Sequence, residues 1–308
     1  MRYVILYLKG MLMGAADIVP GVSGGTVALI TGIYKKLLES INNISTDNIK
    51  LARTVGFKAV WKKINGPFLL AVFGGILSSI LVFSRILEWL IKNEPLELWS
   101  FFFGLLVASI IYLFKLKLSF TIFNFLYLFF GALISFMVTL IDVTENQSSL
   151  WYLFLSGFIG ISAMILPGLS GAYILIIMGV YNTILSNVRL AQDLVINFEK
   201  SQFFETASVL GVFIFGIILG LKVFSKFLSW LLKFYPEKSI AVLVGLMIGS
   251  LHKVWPWQNT LNDSVKESQA VLPKQYDGDP QIAIAILWIF IGFAIIFIIE
   301  RGKTLLSK

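Results

Sequence analysis

Long apolar runs separated by short polar stretches dominate this chain. In the first half they cover about residues 67–91, 96–114 and 119–141, and in the second about 206–232, 239–255 and 282–299. Each can cross a hydrocarbon layer of about 30 Å as a helix. Lipid-exposed strands would leave backbone groups unpaired, so the runs predict transmembrane helices. Ahead of each trio stands an interrupted apolar segment. One reads IVPGVSGG from Ile18 to Gly25, the other ILPGLSG from Ile165 to Gly171. Proline removes a backbone donor and glycine admits positive φ, so a helix stops and turns at each.

The two halves repeat one another. Pro20, Gly21, Ser23, Gly24, Gly32 and Tyr34 match Pro167, Gly168, Ser170, Gly171, Gly179 and Tyr181 at an offset of 147 residues. A second match, VFSRILEWL from Val82 against VFSKFLSWL from Val223, has an offset of 141. A chain written twice at this scale is a repeat architecture. The predicted fold is an all-α polytopic membrane protein forming a single transmembrane transport domain over 1–308. Repeat 1 spans about 1–141 and repeat 2 about 150–300.

Loop charge orients the repeats. Residues 35–65 carry Lys35, Lys36, Lys50, Arg53, Lys58, Lys62 and Lys63 against Glu39 and Asp47. Under the positive-inside rule this stretch is cytoplasmic, as is the N-terminus with Arg2 and Lys9. The broken segment between them therefore turns back as a re-entrant hairpin. Three spans later the second hairpin enters from the opposite face, which makes the repeats inverted in topology. Arg301, Lys303 and Lys308 then place the C-terminus inside too. The expected location is the inner (cytoplasmic) membrane, with six full spans. The opening apolar run is too short for a signal-peptide core and recurs later, so it is expected in the mature protein.

Composition agrees: 57% of residues are hydrophobic and 14% charged, with a mean hydropathy of +0.86. The surface must face membrane lipids. A net charge of +8 is explained by topology, so no nucleic-acid partner is expected. The absence of cysteine excludes thiolate metal sites and cysteine nucleophiles. No cofactor or metal is expected, and no enzyme activity.

Irregular backbone at membrane depth is tolerated where protein buries it or a cavity adjoins it. A half-helix restarting near Thr26 or Ala172 would aim free amides at such a cavity, and these favour an anion such as phosphate. The candidate binding residues are Gly21, Ser23, Gly24, Gly25 and Thr26 in the first half, with Gly168, Ser170 and Gly171 in the second. Arg85 and Lys226 occupy matched positions; they either bind the anion or snorkel to the interface. Asp17 matches apolar Met164. It either holds a coupling proton or sodium ion, or accepts hydrogen bonds from the turn. Glu88 pairs with Arg85 across nearly one helical turn, and His252 reads as interfacial.

The stretch MGAADIVPGVSGGTVALITGIY, echoed by ILPGLSGAYILIIMGVY, resembles the prokaryotic polyprenyl-phosphate (undecaprenyl-phosphate) translocases, a family first known as a domain of unknown function. The resemblance covers almost the whole chain. It implies a carrier that returns polyprenyl phosphate from the outer to the inner leaflet for envelope polysaccharide synthesis. The matching motif carries Asp17, Pro20, Gly21, Ser23, Gly24, Gly25 and Thr26, with Pro167, Gly168, Ser170 and Gly171. The mechanism it suggests is alternating access, ion-coupled, with the phosphate inside and the tail in lipid. A small inorganic anion transporter or channel would use the same helix ends. An intramembrane serine protease would use a G-x-S-G serine, but two motifs would have to share the one histidine.

Overall fold

The computed structural model describes residues 2–18, 23–45, 47–119, 121–141, 149–196, 199–262 and 267–306. Fourteen helices carry the described chain. The first hairpin is α1 (Arg2–Ile18) and α2 (Gly24–Ile30), followed by the short helices α3 (Tyr34–Asn42), α4 (Asp47–Thr54) and α5 (Phe57–Lys63). Three long helices complete the half: α6 (Gly66–Asn93), α7 (Pro95–Lys117) and α8 (Ile122–Thr139). The second half runs α9 (Leu150–Ile165), α10 (Gly171–Ile177), α11 (Tyr181–Ile196), α12 (Lys200–Phe234), α13 (Pro236–Ser250) and α14 (Ile282–Leu306). Between α13 and α14 a two-stranded antiparallel ribbon, β1 (Gln258–Asn262) and β2 (Glu267–Ala270), adds structure that the apolar pattern did not predict.

The chain is a multi-pass membrane protein. By length and composition α6, α7, α8 and α12 each suffice to cross a membrane, and α10 with α11 would add a fifth span if the pair were one. That pair is bent by 110°. Of the six runs predicted as full spans, the fifth is short. Helix α13 stops at Ser250 and tightens into a 3₁₀ turn, Leu251–Val254. Helix α14 runs 25 residues, from Ile282 to Leu306.

Four helix pairs pack closely: α1 with α6, α9 with α12, α8 with α13, and α7 with α14. Lipid tails are as apolar as leucine, so close backbone approach and dispersion must hold such pairs. Gly10 and Gly14 of α1 rest on the backbone of Val72 and Ile76, and Gly216 and Gly220 of α12 on Phe154 and Phe158. Gly245 and Gly249 of α13 rest on Leu128 and Ala132 in the same way. Equal steps along both partners mean that these pairs run parallel. The α7–α14 pair does too, since Leu96 meets Ala285 at one end and Ala108 meets Ile296 at the other. Helix α13 lies at the centre, with Leu243, Val244 and Met247 at most 2% exposed.

Candidate functional site

The two broken segments meet. Helix α2 runs back along α1, as shown by Asp17 against Gly24 at one end and Lys9 against Thr31 at the other. Helix α10 runs back along α9, with Gly171 against Gly160. Both half-helices begin at a serine cap with extended backbone. Ser23 accepts from the Gly25 amide at 3.1 Å and Ser170 from the Tyr173 amide at 3.4 Å. Each replaces a partner that the first turn of a helix lacks. Both half-helices also end alike. Gly32 (φ 74°) and Gly179 (φ 67°) take the left-handed conformation. The Ile33 amide then reaches Ala28 O, and the Val180 amide reaches Leu175 O, each at 3.0 Å. This is one Schellman cap made twice by matched residues.

Four interactions join the hairpins. The Ser23 hydroxyl lies 3.1 Å from both Met164 O and Leu166 O and shares its proton between them. Tyr34 donates to Ile165 O at 2.9 Å, and the Gly168 amide donates to Thr26 Oγ1 at 3.1 Å. The logic is local: Pro167 ends α9, so its last carbonyls have no helical donor. Hydroxyls of the first hairpin supply one. Gly168, at φ 84° and packed on Leu246 and Met247 of α13, makes the turn that aims its amide at Thr26.

Of the sequence-predicted residues, the structure gathers Asp17, Ser23, Gly24, Gly25, Thr26 and Gly168 at this junction. Ser23 and Thr26 are 1% and 0% exposed. Pro20 and Gly21 lie outside the described residues, as do the side chains of Arg85 and Glu88. Ser170 caps α10, while Gly171 faces its own hairpin, so an added Cβ would sit 2.8 Å from Gly160 O. Lys226 is exposed on α12 and, among the described residues, forms no hydrogen bond with either break.

The half-helices start at Gly24 and Gly171, within two residues of the expected Thr26 and Ala172. The first amides of α2 differ from the expectation of free donors. Gly24 N donates to Asp17 Oδ1 at 2.7 Å, Gly25 N to Ser23 Oγ, and Thr26 N to Ser23 O at 2.9 Å. Asp17 thus places a carboxylate where an anion would meet α2, and it accepts from the turn, one of the two roles read for it. His252 lies 2.8 Å from Thr139 Oγ1 and 3.0 Å from Gly249 O, bonded to neither serine. No group of acids or histidines able to hold a metal occurs among the described residues.

Sequence reasoning missed three residues. Lys9 donates to Thr31 O at 2.8 Å and caps the end of α2. Lys222 donates to the carbonyls of Ile41 and Asn42 and closes the end of α3. Tyr34, visible only as a repeat match, joins the hairpins.

A family model described as undecaprenyl phosphate translocase-like matches residues 13–272. The chain is 40% identical over 273 residues to a polyprenyl-phosphate transporter of Vibrio cholerae, covering 89% of this chain and 84% of that one. To a polyprenyl-phosphate transporter of Staphylococcus aureus it is 30% identical over 261 residues, covering 81% and 85%. No solved structure matches it.

Proposed function

Because this chain belongs to the undecaprenyl phosphate translocase-like family, we propose that it carries polyprenyl (undecaprenyl) phosphate across the cytoplasmic membrane and so returns the lipid carrier to envelope polysaccharide synthesis. It does so as a transporter and not as an enzyme. The observation that carries the reading is the junction of the two breaks, where buried hydroxyls of the first half donate to backbone carbonyls of the second, and a buried amide of the second donates to the Thr26 hydroxyl of the first. Buried polar groups must keep partners. When the hairpins part, those donors need new acceptors, and phosphate oxygens supply them. The proposed binding set is Gly21, Ser23, Gly24, Gly25 and Thr26 with Gly168, Ser170 and Gly171. Lys226, exposed on α12, and its sequence match Arg85 complete the proposed set.

The halves act as inverted repeats. Helices α1 and α6 run parallel, so the first hairpin starts and ends on one side; α9 and α12 run parallel, so the second does likewise. Three consecutive long helices separate the two, which supports opposite entry faces. Alternating access then exposes the junction to each leaflet in turn while the tail stays in lipid. Both termini and the lysine-rich segment 35–65 face the cytoplasm. Asp17 couples the cycle: a phosphate that reaches the Gly24 amide must displace its carboxylate, and a proton or sodium ion taken up by Asp17 releases it.

A leaflet-resolved assay in proteoliposomes, with and without ion gradients, tests this. Polyprenyl phosphate should change leaflet, while chloride and inorganic phosphate should not cross. Asp17→Asn should slow transport and weaken its dependence on the gradient. Flux of the inorganic ions without lipid movement overturns the reading, and equal transport by Asp17→Asn under every gradient overturns the coupling role.

A further inference from the structure

A wide groove lies where α8, α13 and the ribbon meet, away from the junction of the breaks. Phe129 and Phe136 of α8 form one wall, His252 and Trp255 the other, and Leu272 and Gln275 the roof. Its volume is about 750 Å³, within the range of pockets that enclose ligands of a few dozen heavy atoms. Phe129 and Leu272 are 64% and 63% exposed, so the groove opens sideways along a lipid-facing helix. The roof is held in place: Trp255 Nε1 donates to Val271 O at 2.8 Å, and Gln258 Nε2 to Lys253 O at 2.9 Å.

One end is polar and leads to the second break. His252 meets Thr139 Oγ1, and Thr139 O accepts from the Tyr173 hydroxyl at 3.1 Å. The Tyr173 amide in turn donates to Ser170 Oγ. The Lys253 ammonium lies over the Tyr173 ring, 5.0 Å from its centre. An apolar trough open to lipid therefore ends at His252, next in the chain to Lys253, whose ammonium lies over a residue hydrogen-bonded to the cap of α10.

We propose that this groove is a loading subsite for polyprenyl phosphate, holding the isoprene units nearest the headgroup while the phosphate faces Lys253 beside the second break. The inference rests on the transport reading above and adds where the tail is gripped. Charge complementarity selects an anionic headgroup. The aromatic walls, with Phe103 edge-on to Trp255 at 5.3 Å and Phe136 to His252 at 5.2 Å, suit flat, methyl-branched alkene units. A single-chain lipid fits one trough, whereas a glycerophospholipid must bring two chains to it. The remaining isoprene units lie along α8 in the bilayer.

The test uses the full chain in phosphatidylcholine nanodiscs and a short-chain prenyl phosphate with a diazirine on its second isoprene unit. Photolabelling should fall on residues 129–136 and 248–255, and unlabelled prenyl phosphate should compete where phosphatidylglycerol does not. Ala270→Trp fills the groove from the exposed strand β2, and Leu272→Ser removes apolar roof without touching helix packing. Each should lower labelling about tenfold, the equivalent of roughly 1.4 kcal/mol, with thermal unfolding unchanged. Labelling elsewhere, equal competition by phosphatidylglycerol, or full labelling in both variants overturns the subsite. Translocation by the wild type without labelling of the groove overturns the subsite alone, and absence of translocation overturns the transport reading with it.

Discussion

Thr26→Val isolates one bond of the junction between the breaks. Valine keeps the shape of threonine but removes Oγ1, the acceptor of the Gly168 amide at 3.1 Å. Thr26 is 0% exposed, so water does not take its place while the hairpins remain together. A buried donor left without a partner costs about 1–3 kcal/mol. The parted state, in which water reaches Gly168, bears none of that cost. The population of the parted state should therefore rise by about five- to 150-fold. Hydrogen exchange measured by mass spectrometry reads this directly. Peptides spanning 163–175 should exchange faster by that factor, while peptides from the α8–α13 pair should keep their wild-type rates. Tyr34→Phe should act in the same direction, because it strands Ile165 O. Unchanged exchange around Gly168 in Thr26→Val would show that the junction opens by a route that leaves this bond intact, and the reasoning would fail.

Two glycines of α12 make a paired test: an added Cβ at Gly211 meets nothing within 4 Å, whereas at Gly216 it collides with the backbone of Phe154. Gly211→Ala should stabilise by about 0.5–1 kcal/mol and Gly216→Ala should destabilise by about 1–3 kcal/mol, read as thermal unfolding in detergent; similar shifts for both would refute the close-approach account of the pair. On this cysteine-free chain, Lys58→Cys should react with impermeant maleimide only from the cytoplasmic side and Leu272→Cys only from the opposite one, and labelling of both from one side would sink the topology. The Glu97 carboxylate beside Glu94 raises the Glu94 pKa from its ordinary value, chiefly by charge repulsion. Their mutual repulsion is therefore relieved as pH falls through that raised value, and Glu97→Gln should bring the Glu94 titration, followed by NMR, back down; an unmoved titration refutes the coupling.

The long helices were legible because apolar runs carry their own signal: the run read at 67–91 is Gly66–Asn93, and the run read at 206–232 lies inside Lys200–Phe234. The small helices were not. Segment 35–65 read as a charged loop, yet it holds α3, α4 and α5. Short amphipathic helices leave no long run, and tertiary contacts stabilise them, as when Lys222 closes the end of α3. The site divides in the same way. Pro, Gly and Ser at the breaks announce a stop, a turn and a cap, because those follow from local backbone chemistry. Which partner each polar group finds is set by the fold. Asp17 reaches Gly24 only because α2 turns back on α1, and Tyr34 meets Ile165 across the two halves. Lys9 read as a flanking charge of the N-terminus; it lies against Thr31 because the hairpin brings the end of α2 to it.

The pairing of α8 with α13 and of α7 with α14 has a consequence for biosynthesis. Helices α1 and α6 can associate as soon as the first half leaves the ribosome, and α9 with α12 soon after the second begins. Helix α7, however, must wait in the bilayer for α14, made well after it, and α8 must wait for α13. Neither half is a finished object when synthesised alone, since each lends the other two helices. The separated halves should therefore be degraded when expressed singly and recovered when expressed together, as strands of one interlocked whole.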